Sequence, residues 1–191
     1  VPRQPGDAAR IIKSSGTTGA MKYMIRSVEN QEYIYRTAQF CGGYTQQSRF
    51  FATGGFSVSA FHAAAVTCIR AGGLCVYETR QSAEKTLSLQ AITHASFLVH
   101  SLIQILKAIP DDYRKPPGLK ILTIGSPVSE VVRARLLTFL ATQVSETYGS
   151  NESSTISTID AAGEGAILPG VEVEVVDDDD QPVIGTPGQI R

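Results

Sequence analysis

Tryptophan is absent from the 191-residue sequence, methionine occurs twice and cysteine three times. Cys41, Cys68 and Cys75 are odd in number and form no Cys-x-x-Cys pair, which argues against a disulfide scaffold or a zinc site. They read as reduced thiols of the core or of helices in a cytoplasmic protein. His62, His94 and His100 make no metal-type cluster and read as structural. An excess of one charge is also missing. The 17 basic and 18 acidic residues leave a net charge of -1, which argues against a nucleic-acid or anionic-membrane surface. No apolar run has the length of a membrane span. The opening Val1-Pro2-Arg3-Gln4-Pro5-Gly6 has neither the apolar stretch of a signal peptide nor an initiating methionine, so the expectation is a fragment of a longer protein.

Hydrophobic residues make up 42% of the chain, enough for a buried core in one domain or one and a half. The most informative stretch is Ser14-Ser15-Gly16-Thr17-Thr18-Gly19-Ala20-Met21-Lys22, with four hydroxyls, two glycines and one lysine. Glycine permits tight turns that aim successive N–H groups at one point, a nest that holds an anion. Hydroxyls add donors and lysine adds a mobile positive charge, so the composition suits a polyphosphate. The Walker pattern is absent, because Gly16 and Gly19 are three apart and no hydroxyl follows Lys22. On composition alone, a Ser/Thr/Gly-rich surface loop is an equal alternative. Residues 9–13 and 22–25 read as strands entering and leaving the loop.

Elsewhere helices and short apolar strands alternate. Ser27 is placed to cap a helix that runs to about Phe40 and ends at Gly42-Gly43. Strands are expected at residues 49–52, 74–77, 96–99, 120–124 and 143–147, the second of them buried. Helices are expected at residues 56–70, 82–92 and 102–109. Ser126 and Pro127 read as the cap and first residue of a further helix, with Val128, Val131, Val132, Leu136 and Leu140 on one side. The repetition implies an α/β fold, a mostly parallel sheet flanked by helices. After Ile159 the texture changes. Residues 171–175 alternate apolar and acidic, as in a half-exposed strand. The aspartates 177–180 read as a hairpin turn, since no EF-hand spacing follows. The expected division is an α/β nucleotide-binding subdomain over residues 1–160 and the beginning of a β-rich, barrel-like subdomain over 161–191.

A second constellation is Tyr148-Gly149-Ser150-Asn151-Glu152, at the carboxyl edge of the expected sheet, where open α/β folds bind ligands. An aromatic ring there can stack on a purine, glycine lets the backbone approach, and a carboxylate can hold magnesium. Read alone, it is also an ordinary strand exit. A third is Gly125-Ser126-Pro127, directly after the strand 120–124. These motifs resemble the adenylate-forming superfamily, which includes acyl-CoA synthetases, aryl-CoA ligases, luciferases and peptide-synthetase adenylation domains. Its phosphate loop, Ser-Gly-Thr-Thr-Gly-x-Pro-Lys-Gly, matches Ser15 to Gly19 and Lys22; Met21 replaces the proline and Tyr23 the last glycine. Its Tyr-Gly-x-Thr-Glu signature is similar to residues 148–152, with Asn151 for threonine. Its Gly-Gly-Ala/Glu-Pro segment is similar to residues 125–127, with Ser126 replacing a glycine or alanine. Weaker likenesses follow in order at residues 71–76, 92–98 and 168–189, where Gln189 replaces a glutamate. The resemblance spans about residues 9–191.

It implies an enzyme that activates a small carboxylic acid with ATP and Mg2+ and passes the acyl group to coenzyme A or a carrier thiol. Ser14, Ser15, Gly16, Thr17, Thr18, Gly19 and Lys22 would hold the phosphates. Gly125, Ser126, Pro127, Tyr148 and Gly149 would line the adenine, Asn151 would contact a phosphate and Glu152 would bind the metal. The family's Pro-Leu-Phe-His segment beside the acyl pocket corresponds to residues 50–56, giving Phe51 and Gly55 as pocket candidates; the histidine is missing. The family's ribose-binding Thr-Gly-Asp and the adenylation lysine of its C-terminal domain do not occur in the chain, so no catalytic residue is assigned. The expectation is that this segment alone does not turn over and works with the remainder of a parent synthetase. The alternatives are a non-catalytic ATP- or AMP-binding module and a structural domain retaining the fold.

Overall fold

The computed structural model describes residues 3–14, 22–78, 82–89, 91–111, 113–160 and 162–191. Strand β1 (Ala8–Ser14) pairs antiparallel with β2 (Lys22–Ser27), with Ser14 opposite Lys22. Ser15, Gly16, Thr17, Thr18, Gly19 and Met21, which join the two strands, lie outside the described residues. Helix α1 (Val28–Gly42) follows at once. The Ser27 hydroxyl accepts from the Asn30 N–H at its start. Gly43 closes it in the left-handed region at φ 61°, a conformation that glycine takes without a Cβ clash.

A seven-stranded sheet forms the body of the fold. Its strands are β3 (Arg49–Ala52), β4 (Leu74–Val76), β5 (His94–Leu98), β6 (Lys120–Ile124), β7 (Gln143–Ser150), β8 (Ser154–Ile159) and β9 (Gly165–Ile167). The spatial order is β4-β3-β5-β6-β7-β8-β9. Pairings from β4 to β7 are parallel, and β8 and β9 add antiparallel edges. The crossovers carry α2 (Ser59–Arg70), α3 (Ala83–Leu89), α4 (Val99–Ala108) and α5 (Glu130–Phe139). Farther on, β10 (Val175–Val176) and β11 (Gln189–Ile190) form a separate two-stranded ladder. The expected mostly parallel sheet flanked by helices is therefore present.

Alternation along each strand divides the core into two layers. The register row Phe51, Ala95, Ile121, Val144 points to one face, where these residues pack with Phe97, Leu102, Leu106 and Leu136. Phe50 and Ala52 point to the other face and pack against Ala64, Ala65 and Cys68 of α2. Each fully buried leucine or phenylalanine of this kind contributes roughly 1.5–3 kcal/mol.

Several boundaries differ from expectation. Helix α2 begins at Ser59 rather than Phe56, because the Val58 N–H turns back to the Gly55 carbonyl. Strand β4 is the sheet edge and Leu74 is exposed, so this strand is not buried. Helix α4 begins at Val99 and α3 ends at Leu89, leaving the buried Ile92 outside it. The helix expected at Ser126-Pro127 starts at Glu130, with Ser129 as its cap. There Gly125 adopts φ +91° and the Val128 N–H bonds to a side chain on β7, so residues 125–128 are a loop. Val131 is exposed as a result. The strand expected at 171–175 shrinks to Val175–Val176, since its partner β11 is only two residues long. The aspartates 177–180 do form a turn: Asp177 Oδ1 accepts from the N–H groups of Asp179 and Gln181, and Asp180 is left-handed at φ 58°.

Candidate functional site

A cleft of about 540 Å³ lies on the α1–α2 face, at the carboxyl ends of β5, β6 and β7. Strand parity explains its walls. Leu98, Leu122, Ile124, Thr147 and Gly149 all point to this face, and Ile34 and Ala38 of α1 with Ala60 and Ala63 of α2 close the sides. Leu98, Leu122 and Ile124 make much of the floor apolar, and Arg26, Ser59, Thr147, Ser150 and Asn151 add polar groups to the lining. An apolar cleft with a few convergent polar groups at the carboxyl edge of a parallel sheet is the usual form of a small-molecule site.

Arg26 ties two of these polar groups together. It is 6% exposed. Its Nη1 donates to Ser59 Oγ at 2.7 Å and its Nη2 donates to the Asn151 carbonyl at 2.6 Å. Burial pushes the Arg26 pKa down, the Arg10 charge pushes the same way, and the Glu152 carboxylate offsets part of the shift. Arg10 in turn donates to the Phe56 carbonyl at 2.5 Å. The β1–β2 hairpin is therefore tied by two arginines to the segment before α2 and to the turn after β7.

That turn has its own fastening. Ser150 Oγ accepts from the N–H groups of Glu152 and Ser153, each at 3.1 Å. A bulge falls between Tyr148 and Gly149, and a Cβ on Gly149 would lie 2.0 Å from the Ser154 carbonyl oxygen. Only glycine fits there. Glu152 is exposed, and among the described residues its carboxylate takes part in no hydrogen bond. One open carboxylate suits magnesium, which keeps several waters and shares substrate phosphates instead of filling an all-protein cage. Among the described residues no group of three or more His, Cys, Asp or Glu could hold a metal ion.

The 125–128 loop is held from β7. Glu146, 7% exposed, accepts from the Val128 N–H at 2.9 Å and pairs with Arg133 of α5. By alternation Tyr148 falls on the Glu146 side of β7, the side of this loop, and its ring is 47% exposed. Gly125 and Gly149 line the cleft, while Ser126 and Pro127 are exposed beside it.

The remaining candidates are placed as follows. Ser14 ends β1 and Lys22 opens β2, exposed. Phe51 is buried in the opposite layer, edge-on to Phe97 at 6.3 Å, and does not line the cleft. Gly55 is exposed in the turn before α2, beside the lining residues Val58 and Ser59. Sequence reasoning missed Arg26, Ser59 and Glu146. A signal existed for the first: the hairpin alternation is inverted. Ile11, Tyr23 and Ile25 point outward, while Arg26 is buried along with Ile12. An arginine at an inward position asks for partners.

Comparison with known proteins agrees with this fold. No curated protein matches the chain. Among solved structures, VinN aligns with a TM-score of 0.83 at 21% identity, over 100% of this chain and 50% of its own. The O-succinylbenzoate coenzyme A synthetase MenE from Bacillus subtilis, in complex with ATP and magnesium ion, gives a TM-score of 0.83 at 21% identity, over 98% of this chain and 41% of its own. The anthranilate CoA ligase AuaEII, in complex with anthranoyl-AMP, gives a TM-score of 0.83 at 15% identity, over 97% and 39%. The chain thus spans half or less of the length of each of these structures. These likenesses show the fold. The family model described as AMP-binding enzyme matches residues 1–191, and the chain belongs to that family.

Proposed function

We propose that the complete enzyme containing this chain activates a small carboxylic acid with ATP, forming an acyl-adenylate, and then passes the acyl group to coenzyme A or a carrier thiol. The observation that carries the reading is the meeting of a largely apolar cleft with Gly125, Gly149 and Asn151, where Arg26 of the β1–β2 hairpin reaches the turn after β7. In the first step a carboxylate oxygen attacks the α-phosphorus, the bond to the bridging oxygen breaks and pyrophosphate leaves. Positioning and charge neutralisation are what such a step needs from a protein.

In this reading Lys22 and the residues before it hold the β- and γ-phosphates. Tyr148 and the backbone of residues 125–127 hold the adenine, Asn151 contacts a phosphate, and the cleft receives the acid. Glu152 would hold magnesium, which when bound offsets phosphate charge. Phe51 is set behind the sheet and Gly55 at the rim, so the apolar side chains of α1, α2, β5 and β6 shape the acyl pocket. In this reading residues 161–191 open a β-rich second subdomain; the separate β10–β11 ladder supports this, while β9 still belongs to the seven-stranded sheet. The enzyme works in the cytoplasm; no helix among the described residues is long and apolar enough to cross a membrane. The segment 1–191 alone does not turn over, because it spans half or less of the chains it aligns with.

The test is pyrophosphate exchange with a panel of carboxylic acids, run on the complete polypeptide and on residues 1–191. Acid-dependent exchange is expected from the first and not from the second. A complete polypeptide that binds Mg·ATP yet exchanges with no acid points instead to a non-catalytic nucleotide module, a reading favoured by asparagine at position 151.

A further inference from the structure

Arg26 belongs to none of the three motifs, yet it touches one and leads out of another. It lies four residues after Lys22, on the strand leaving the phosphate loop, and its side chain bonds the backbone of Asn151. Strands β2 and β7 share no ladder, since one belongs to a two-stranded sheet and the other to the seven-stranded sheet. The local bonds from Ser150 hold the shape of the 151–153 turn. They do not set its distance from the hairpin. Among the described residues, the hydrogen bond that joins β2 to this turn is the one from Arg26, and the second arm of the guanidinium anchors it to Ser59 at the start of α2.

We propose that Arg26 is a positioning residue that fixes the Asn151–Glu152 turn relative to β2, the strand that carries Lys22, so that Lys22 and the turn act on Mg·ATP together. The proposal rests on the nucleotide-binding part of the preceding reading and not on the identity of the acid. A planar fork can hold two acceptors in two directions at once, which a lysine ammonium or a glutamine amide cannot reproduce. The Arg26 side chain is buried at the cleft wall, so the carbonyl that loses it loses a charge-assisted bond. Glu152 also supports the arginine electrostatically, so the two residues should act as one unit.

The experiment is a double-mutant cycle on Mg·ATP binding, measured by calorimetry on the complete polypeptide with R26Q, E152Q and the double variant. Each single variant is expected to raise Kd about tenfold, and the double variant far less than the hundredfold product, because coupled residues are not additive. Ser59→Ala removes the second anchor of the guanidinium but leaves the Asn151 bond, and is expected to raise Kd less than R26Q does. R26K keeps the charge and one arm, and should fall between wild type and R26Q. Where R26Q does not fold, the same cycle is run with R26K. A role in folding alone would lower the melting temperature but leave the Kd of the folded fraction unchanged. Wild-type affinity in a folded Arg26 variant, or strictly multiplicative effects in the cycle, overturns the proposal. A wild-type protein that binds no Mg·ATP overturns the nucleotide reading as well.

Discussion

Glu146 of β7 and Arg133 of α5 form an ion pair in which both side chains are about nine-tenths buried. The same arginine donates to the Val144 carbonyl at 2.9 Å, and the same glutamate accepts from the Val128 N–H. One pair therefore joins a helix, a strand and the loop that begins at Gly125. Removing one partner leaves an uncompensated buried charge, which costs about 3–5 kcal/mol. Glu146→Ala is expected to lose that much in urea unfolding. Replacing both residues by leucine should recover most of the stability. It should not recover nucleotide affinity, because the Val128 N–H still lacks its acceptor. Full recovery of Mg·ATP binding in the double-leucine variant would separate the 125–128 loop from the site.

Lys22 opens β2 and Glu152 lies in the turn after β7, the two positions proposed to act on Mg·ATP. In the proposed reading Lys22→Ala removes a positive charge that faces polyphosphate, and Glu152→Ala removes the open carboxylate. Each is expected to weaken Mg·ATP binding about tenfold, equivalent to about 1.4 kcal/mol. Lys22→Ala should do so with or without magnesium, whereas Glu152→Ala should do so only with it. Both side chains are exposed, so neither change should shift the urea midpoint. Calorimetric titration of the two variants with ATP, in magnesium and in chelator, checks the split.

How far these features are readable from residues alone depends on their range. The strand 49–52 and the strand 120–124 were legible to the residue, because short apolar runs with turn residues on both sides have few other uses. Helix α1 was legible from Ser27 and Gly43, a cap at each end. The start of α5 was not, because proline at position 127 is equally at home in a loop held from outside. What holds it is Glu146, 18 residues away. The motifs at 125–127 and 148–152 were visible as compositions, but the cleft beside them was not. Its walls depend on which parity each strand presents, and this also puts Phe51 on the far layer. The tie from Arg26 to Asn151 spans 125 residues of sequence and uses a backbone carbonyl, which no side-chain pattern reports.

Gly149 and Gly125 test two separate uses of glycine. At Gly149 a methyl group would collide with the backbone of Ser154, and backbone cannot swing aside. Gly149→Ala is expected to cost about 1–3 kcal/mol through forced displacement of the β7–β8 turn, and to weaken Mg·ATP binding with it. At Gly125 a Cβ would meet only Leu98 Cδ2 at 3.4 Å, but φ is +91°. Gly125→Ala is therefore a matter of strain alone, about 1–2 kcal/mol. Urea unfolding of the two variants, with Leu98→Ala added to each, separates the cases. Creating space at position 98 should rescue neither, since a backbone clash governs one and a dihedral angle the other.

Buried histidine makes the stability of this fold depend on pH. His94 is 8% exposed, with its ring 4.9 Å from that of Tyr44. A carbonyl can only accept, so Nε2 carries the proton donated to Gly42 at 3.1 Å, and Nδ1 faces the Thr93 hydroxyl at 2.8 Å. Burial lowers its pKa below the ordinary 6.5, the Lys120 charge lowers it further, and the bond to Gly42 offsets part of this. His62 shifts the same way, through burial and then the charges of Arg10 and Arg26. In both cases the unfolded chain binds more protons than the folded one just below pH 6.5. Stability then rises with pH through that window, is fully present above it and falls as pH drops. Glu32, held down chiefly by its bond to Arg70, acts in a separate and lower window, below 4.5. Urea midpoints are therefore expected to fall between pH 7.5 and pH 5, and His94→Gln should flatten that slope while lowering the plateau. A midpoint unchanged from pH 7.5 to pH 5 in the wild-type protein would mean that neither imidazole is held neutral by the fold.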